Sequence, residues 1–195
     1  PLFVANRRIS GVDWLQCLDS QIAWIEGDPI QEISSAINQQ KQAGKTISEL
    51  HIFAHGSNGE IKLGNTLLTS KYLKESSHLL HCWSLKSIYL WSCKAGLNKD
   101  LIETFRELAG ADVYSSESRI SREQPNIVND KQTIASLETY VGLQQIQSWT
   151  GSLSVNAPFL GKAASSYQEV SIAYDTVLAS PPSGVTITAR TLIDD

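Results

Sequence analysis

Leu50-His51-Ile52-Phe53-Ala54-His55-Gly56 and Ile88-Tyr89-Leu90-Trp91-Ser92-Cys93 are the two stretches on which the fold reading turns. Each is a short apolar run without in/out alternation, which is the pattern of a strand buried on both faces. Residues 2–5, 21–25 and 111–114 have the same short apolar character. Amphipathic segments separate them. Apolar strands alternating with amphipathic helices predict an α/β domain with a mostly parallel sheet covered on both faces. In such sheets ligands and reactive groups gather at the carboxyl ends of the strands. The two quoted strands end in His55-Gly56 and in Cys93.

Between these strands the helix signals are physical ones. Asp28 is placed to cap a helix with Pro29 at its first position, Ile30, Ile33, Ala36 and Ile37 follow the helical period, and Gly44 closes it. Asn98 caps a second helix carrying Leu101, Ile102, Phe105, Leu108 and Ala109 on one face, ended by Gly110. A weaker helix is expected over residues 70–80, and Val12, Leu15 and Leu18 predict a short one near the start. Asn58-Gly59 is a hairpin turn signal inside an excursion over residues 57–68. Residues 115–130 read as a polar stretch.

The pattern changes near Ser148. Gly, Ser, Pro and alternating Val, Ile and Thr take over, with Val170/Ile172 and Val185/Ile187 as strand candidates around the turn Ser180-Pro181-Pro182-Ser183-Gly184. The expected organisation is an α/β domain over residues 1–147 and a β-rich or irregular tail, linker or neighbouring start over 148–195.

Composition narrows the function. The chain has 195 residues, a formal charge of −4 and a pI near 5.6, with no basic block to serve a nucleic acid or an anionic membrane. No run of 18 or more apolar residues occurs, so no membrane insertion is expected. The chain opens on Pro1-Leu2-Phe3-Val4 and contains no Met, which leads us to expect an excerpt or a processed product. Three cysteines, Cys17, Cys82 and Cys93, lack both disulfide density and CxxC spacing. Neither a metal nor a cofactor is expected. An odd thiol count leaves at least one thiol to explain.

Cys93 is the thiol with a chemical context. A thiolate attacks a carbonyl well, and a nearby imidazole can take the thiol proton. His55 stands at the end of the other quoted strand. The developing oxyanion needs donors: Gly56, which permits close backbone approach, and the Cys93 N–H are the candidates. No third residue orienting the imidazole is assigned. A cysteine in an apolar strand is ordinarily a small buried hydrophobe. Position at a strand end, with Lys94-Ala95-Gly96 following and His55-Gly56 opposite, turns the reading toward a site. Cys17, on an apolar helical face, and Cys82, beside Trp83, read as core. His51 reads as a hydrogen-bonded structural histidine, since HExxH is absent. His78 and His81 read as surface or partly buried.

His-Gly after one hydrophobic strand and Cys after the next resembles the caspase, legumain and gingipain clan of cysteine peptidases. The stretch His55-Gly56-Ser57 through Leu63-Gly64, with Trp83, Leu85, Ser92-Cys93 and Gly110-Ala111-Asp112-Val113, resembles more closely the bacterial domain of unknown function 4347, a caspase-like group in large secreted or cell-surface proteins. The resemblance covers roughly residues 1–150 and is strongest over 51–116. It implies a caspase-like three-layer α/β/α sandwich, His55 as proton partner, Cys93 as nucleophile and Gly56 as oxyanion donor. It also puts Ser115, Ser116 and Glu117 where the pocket for the residue before the scissile bond is shaped. A Glu117 facing that pocket would favour Arg or Lys, although an exposed loop carboxylate is the commoner case. Glu117-Ser118-Arg119 departs from the small hydroxyl residues and Asp usual there.

The expectation is a cysteine endopeptidase acting on a peptide or protein, its own chain included, with Arg119, Arg122 and Arg190 as candidate self-cleavage sites. The alternative is a catalytically silent interaction or adhesion module on the same fold. A third reading is a zymogen whose tail lies across His55 and Cys93. Signatures of other hydrolases (GxSxG, GxxxxGK[ST], GxGxxG) are missing, and the five tryptophans are scattered.

Overall fold

In chain order the elements are β1 (Leu2–Asn6), β2 (Ile22–Ile25), α1 (Pro29–Gln42), β3 (Glu49–Phe53), β4 (His55–Ser57), β5 (Glu60–Leu63), β6 (Thr66–Leu68), α2 (Ser70–Glu75), α3 (Ser77–Leu80), β7 (Ser87–Trp91), α4 (Lys99–Ala109), β8 (Asp112–Tyr114), β9 (Asn126–Val128), β10 (Ile134–Ser136), α5 (Glu138–Val141) and α6 (Leu143–Ser148). The structure is a computed structural model that describes residues 1–6, 9, 15, 22–149 and 153. The chain divides into two units, Pro1–Ser154 and Val155–Asp195, and every described residue lies in the first. Cys17, the expected helix around Val12 and Leu18, and the tail strands fall outside the described residues.

The five strands expected of the sheet form it, all parallel, in the order β2-β1-β3-β7-β8. Helices flank it, and the fold is an α/β sandwich. Leu2, Val4, Leu50, Ile52, Ile88, Leu90 and Val113 point to one face, where Ile30, Ile33 and Ile37 of α1, Leu73 of α2, and Leu101 and Phe105 of α4 complete an aliphatic core. Phe3, Phe53, Tyr89, Trp91 and Tyr114 point to the other, closed by Ile127, Ala135, Val141, Ile146, Trp149 and Leu153. Both faces are apolar, which is why the strands show no alternation.

The helix signals hold where they are local. Asp28 Oδ1 accepts from the Gln31 N–H at 3.0 Å with Pro29 opening α1, and Asn98 Oδ1 accepts from the Leu101 N–H at 3.1 Å to cap α4. Gly110 ends α4 at φ 61, in the left-handed region that costs glycine little.

Three expectations are corrected. The helix over 70–80 is two short ones, broken at Ser76, whose N–H closes the first on the Tyr72 and Leu73 carbonyls. Cys82 is exposed, because it follows the end of α3 and Trp83 takes the buried place; its thiol donates to the His78 carbonyl at 3.3 Å. The stretch 115–130 is less irregular than it reads, since β9 pairs antiparallel with β10.

Candidate active site

Register brings the two strand ends level. Leu50 pairs with Ile88, His51 with Tyr89 and Phe53 with Trp91, so His55 and Cys93 each stand two residues past the last pair. Beyond β3 the Ala54 N–H still donates to the Trp91 carbonyl at 3.2 Å, and then the chains part. β4 leaves as the first strand of a small antiparallel sheet with β5 and β6. Its first turn has Asn58 at φ 49 and Gly59 at φ 84, the two positive values a tight hairpin turn requires. The excursion begins at His55, two residues earlier than expected.

Gly56 lies against the end of β7. A Cβ there would collide with the Cys93 carbonyl oxygen and the Ser92 hydroxyl, so no larger residue allows this approach. The approach aligns two donors. The Gly56 N–H (3.0 Å) and the Cys93 N–H (3.4 Å) both point at one acceptor, the carbonyl oxygen of Leu153. His55 is half-buried, and its ring is hydrogen-bonded to the Leu153 backbone as well.

Cys93 is fully buried, in the aromatic-face core. Its sulfur accepts from the Ile120 N–H at 3.0 Å and lies 3.6 Å from the Ile120 carbonyl oxygen. Burial pushes the thiol up from its ordinary value, while the Ile120 backbone, the Arg119 charge, the Leu153 backbone and the Lys94 charge pull the other way. Burial lowers the His55 imidazole, and its hydrogen bond to Leu153 opposes that. Both shifts favour the uncharged forms, a thiol and a neutral imidazole.

The loop after Cys93 is tied to the loop after β8. Lys94, at φ 57, donates to the Ser118 carbonyl and Gly96 to the Ser116 carbonyl, each at 2.9 Å. Ser115 and Ser116 are buried beside this loop, and Ser116 Oγ accepts from the Ser118 N–H. Glu117 is 59 % exposed and pairs with Lys99 of α4. The carboxylate needed for an Arg or Lys preference is therefore engaged in solvent.

His51 is the structural histidine expected. Its ring is fully buried, stacks on Tyr89 at 4.4 Å, and accepts at Nδ1 from the Trp91 indole N–H at 3.1 Å. Burial depresses its pKa to about 3. Among the described residues no group of three or more His, Cys, Asp or Glu could hold a metal ion, and no helix is long and apolar enough to cross a membrane.

Sequence reasoning missed Ile120 and Leu153. Ile120 supplies a backbone donor, which no side-chain pattern reveals. Leu153 is a lone apolar residue in a stretch of Gly and Ser. Its isolation among small polar residues was the available signal.

A family model described as Domain of unknown function (DUF4347) matches residues 15–126. The match includes both strand ends and Ile120, and stops before α5, α6 and Leu153. No curated protein and no solved structure matches the chain.

Proposed function

The chain belongs to the DUF4347 family, and from that premise we propose that it is a caspase-like cysteine endopeptidase with His55 as proton acceptor and Cys93 as nucleophile. The observation that carries the reading is the convergence of the Gly56 and Cys93 N–H groups on one carbonyl oxygen, beside the Cys93 sulfur and the His55 ring. Two backbone donors aimed at an acyl oxygen are what stabilise the oxyanion of thiol attack. His55 takes the thiol proton and returns it to the leaving amine; the Ile120 N–H supports the thiolate in between. Ser115 and Ser116 shape the loop behind the nucleophile. Peptide or protein is the substrate class. On this reading the domain works within a large secreted or cell-surface bacterial protein, an assignment resting on the resemblance.

Complete burial of Cys93 favours a second reading, a silent interaction module that keeps the fold. The two separate on thiol chemistry. A limiting peptidyl electrophile ending in Arg, Lys or Leu is applied to the wild-type chain, Cys93→Ala and His55→Ala, and adducts are located by mass spectrometry. An endopeptidase labels at Cys93, at least ~100-fold faster than at Cys82 and dependent on His55. Because the thiol is held above its ordinary value, labelling should rise about tenfold per pH unit from roughly pH 7 to 9. Labelling of Cys93 no faster than of the exposed Cys82 would leave the silent module.

A further inference from the structure

The acceptor between the two donors belongs to this chain. Leu153 O takes the Gly56 and Cys93 N–H groups, and the Leu153 N–H donates to the Ile120 carbonyl at 3.2 Å. Ile120 is also the residue whose N–H reaches the Cys93 sulfur. The backbone of residue 153 thus runs past the nucleophile with its carbonyl on the donors and its amide on the neighbouring loop. The Leu153 side chain is fully buried in the cluster that holds Ile120, Ile146 and Trp149. Filling a core requires an apolar side chain and, for a buried backbone carbonyl, one donor. It does not require the carbonyl to sit on two N–H groups from different strand ends, beside a thiol and an imidazole. Two N–H groups on one acyl oxygen are what thiol attack on that acyl group would use.

We propose that the Leu153–Ser154 bond is the substrate of this site, cut in cis, and that the site takes leucine before the scissile bond. The proposal rests on the endopeptidase reading above. The Cys93 thiol passes its proton to His55 as sulfur bonds to the Leu153 carbonyl carbon. The C–N bond to Ser154 then breaks as His55 gives that proton to the departing amine. Water next attacks the thioester, freeing the Leu153 carboxylate and restoring the thiol. The products are residues 1–153 and 154–195, parted next to the boundary between the two units of the chain. Leucine fits where a cation does not: the side chain is enclosed by apolar groups, and Glu117 lies in solvent with Lys99.

The purified 195-residue chain is incubated from neutral to alkaline pH, and intact mass and new amino termini are followed for wild type, Cys93→Ala, Leu153→Met and Leu153→Lys. Expected are fragments ending at Leu153 and beginning at Ser154 from wild type, none from Cys93→Ala, a rate within about tenfold for Leu153→Met, and one lowered on the order of 100-fold for Leu153→Lys. Cys93-dependent cuts elsewhere, at Arg119, Arg122 or Arg190 for instance, would overturn the leucine assignment and leave the endopeptidase standing. A wild-type chain that stays intact while Cys93 is labelled in a His55-dependent way would do the same, making Leu153 an occupant that is never cut. An intact chain with an inert Cys93 would overturn cleavage at Leu153, and a Cys93 still inert after proteolytic removal of the tail would remove the endopeptidase reading as well. The wild-type cleavage site is read without any variant, so the result does not depend on Leu153→Lys folding.

Discussion

The two faces of the central sheet use the same strands for different ends. One face is mainly aliphatic: Leu50, Ile52, Ile88 and Leu90 meet α1, α2 and α4, with the Trp83 indole N–H donating to Ser34 Oγ at 2.8 Å and Tyr72 packed at its edge. The other is aromatic and carries polar atoms inside it, with His51 receiving the Trp91 N–H and Cys93 receiving that of Ile120. The aliphatic face is closed by helices, of which α1, α2 and α4 carry side-chain N-caps. The aromatic face is closed by a short hairpin, α5, α6 and finally Leu153. A layer that contributes mainly hydrophobic stability can be covered by anything with an apolar stripe. A layer that holds a site needs a cover that presents backbone groups at set positions. The difference teaches where substitution should cost stability and where it should cost chemistry.

The largest effect tests the aliphatic side. Phe105→Ala, in a fully buried position of α4, should cost about 3–5 kcal/mol in chemical denaturation and leave the reactivity of folded Cys93 unchanged. Lost reactivity in the folded fraction would mean that the faces are coupled. Gly56→Ala should lower the rate of Cys93 labelling by the peptidyl electrophile, and of self-cleavage, about 10²–10³-fold, because its Cβ displaces the Cys93 carbonyl and with it the donor pair.

His51 gives a pH signature of the aromatic side. Its folded pKa, about 3, lies below the ordinary histidine value of 6.5, so the unfolded chain binds the extra proton between them. Stability from this group is therefore present above pH 6.5 and lost as pH falls toward 3. His51→Phe should remove up to a tenfold change per pH unit in the folding equilibrium across that window, measured by denaturation at several pH values. An unchanged slope would show that the ring is not buried neutral. The smallest effect is expected at the rim. Glu117→Gln breaks an exposed pair with Lys99 and should change stability by less than about 0.5 kcal/mol, with no change in the preference among Arg, Lys and Leu electrophiles.

Much of this was legible in the residues. All five sheet strands and the caps at Asp28 and Asn98 follow from local chemistry and period. The elements that escaped are short. β9 and β10 have three residues each and α5 has four, too few for a period to appear. Cys82 misled because an apolar neighbour, Trp83, could be buried without it.

What the sequence by itself determined is the sheet, its two apolar faces, and which strand ends carry an imidazole and a thiol, because burial and helix capping are written in side chains within a few residues of one another. The tertiary structure alone decided the register that sets His55 level with Cys93, the Ile120 N–H on the sulfur, and the Leu153 carbonyl on both donors. These are long-range contacts made by backbone groups. Every residue except proline carries the same N–H, and every residue carries the same C=O, so the positions of these groups depend on how the chain packs and cannot be told from side-chain identity.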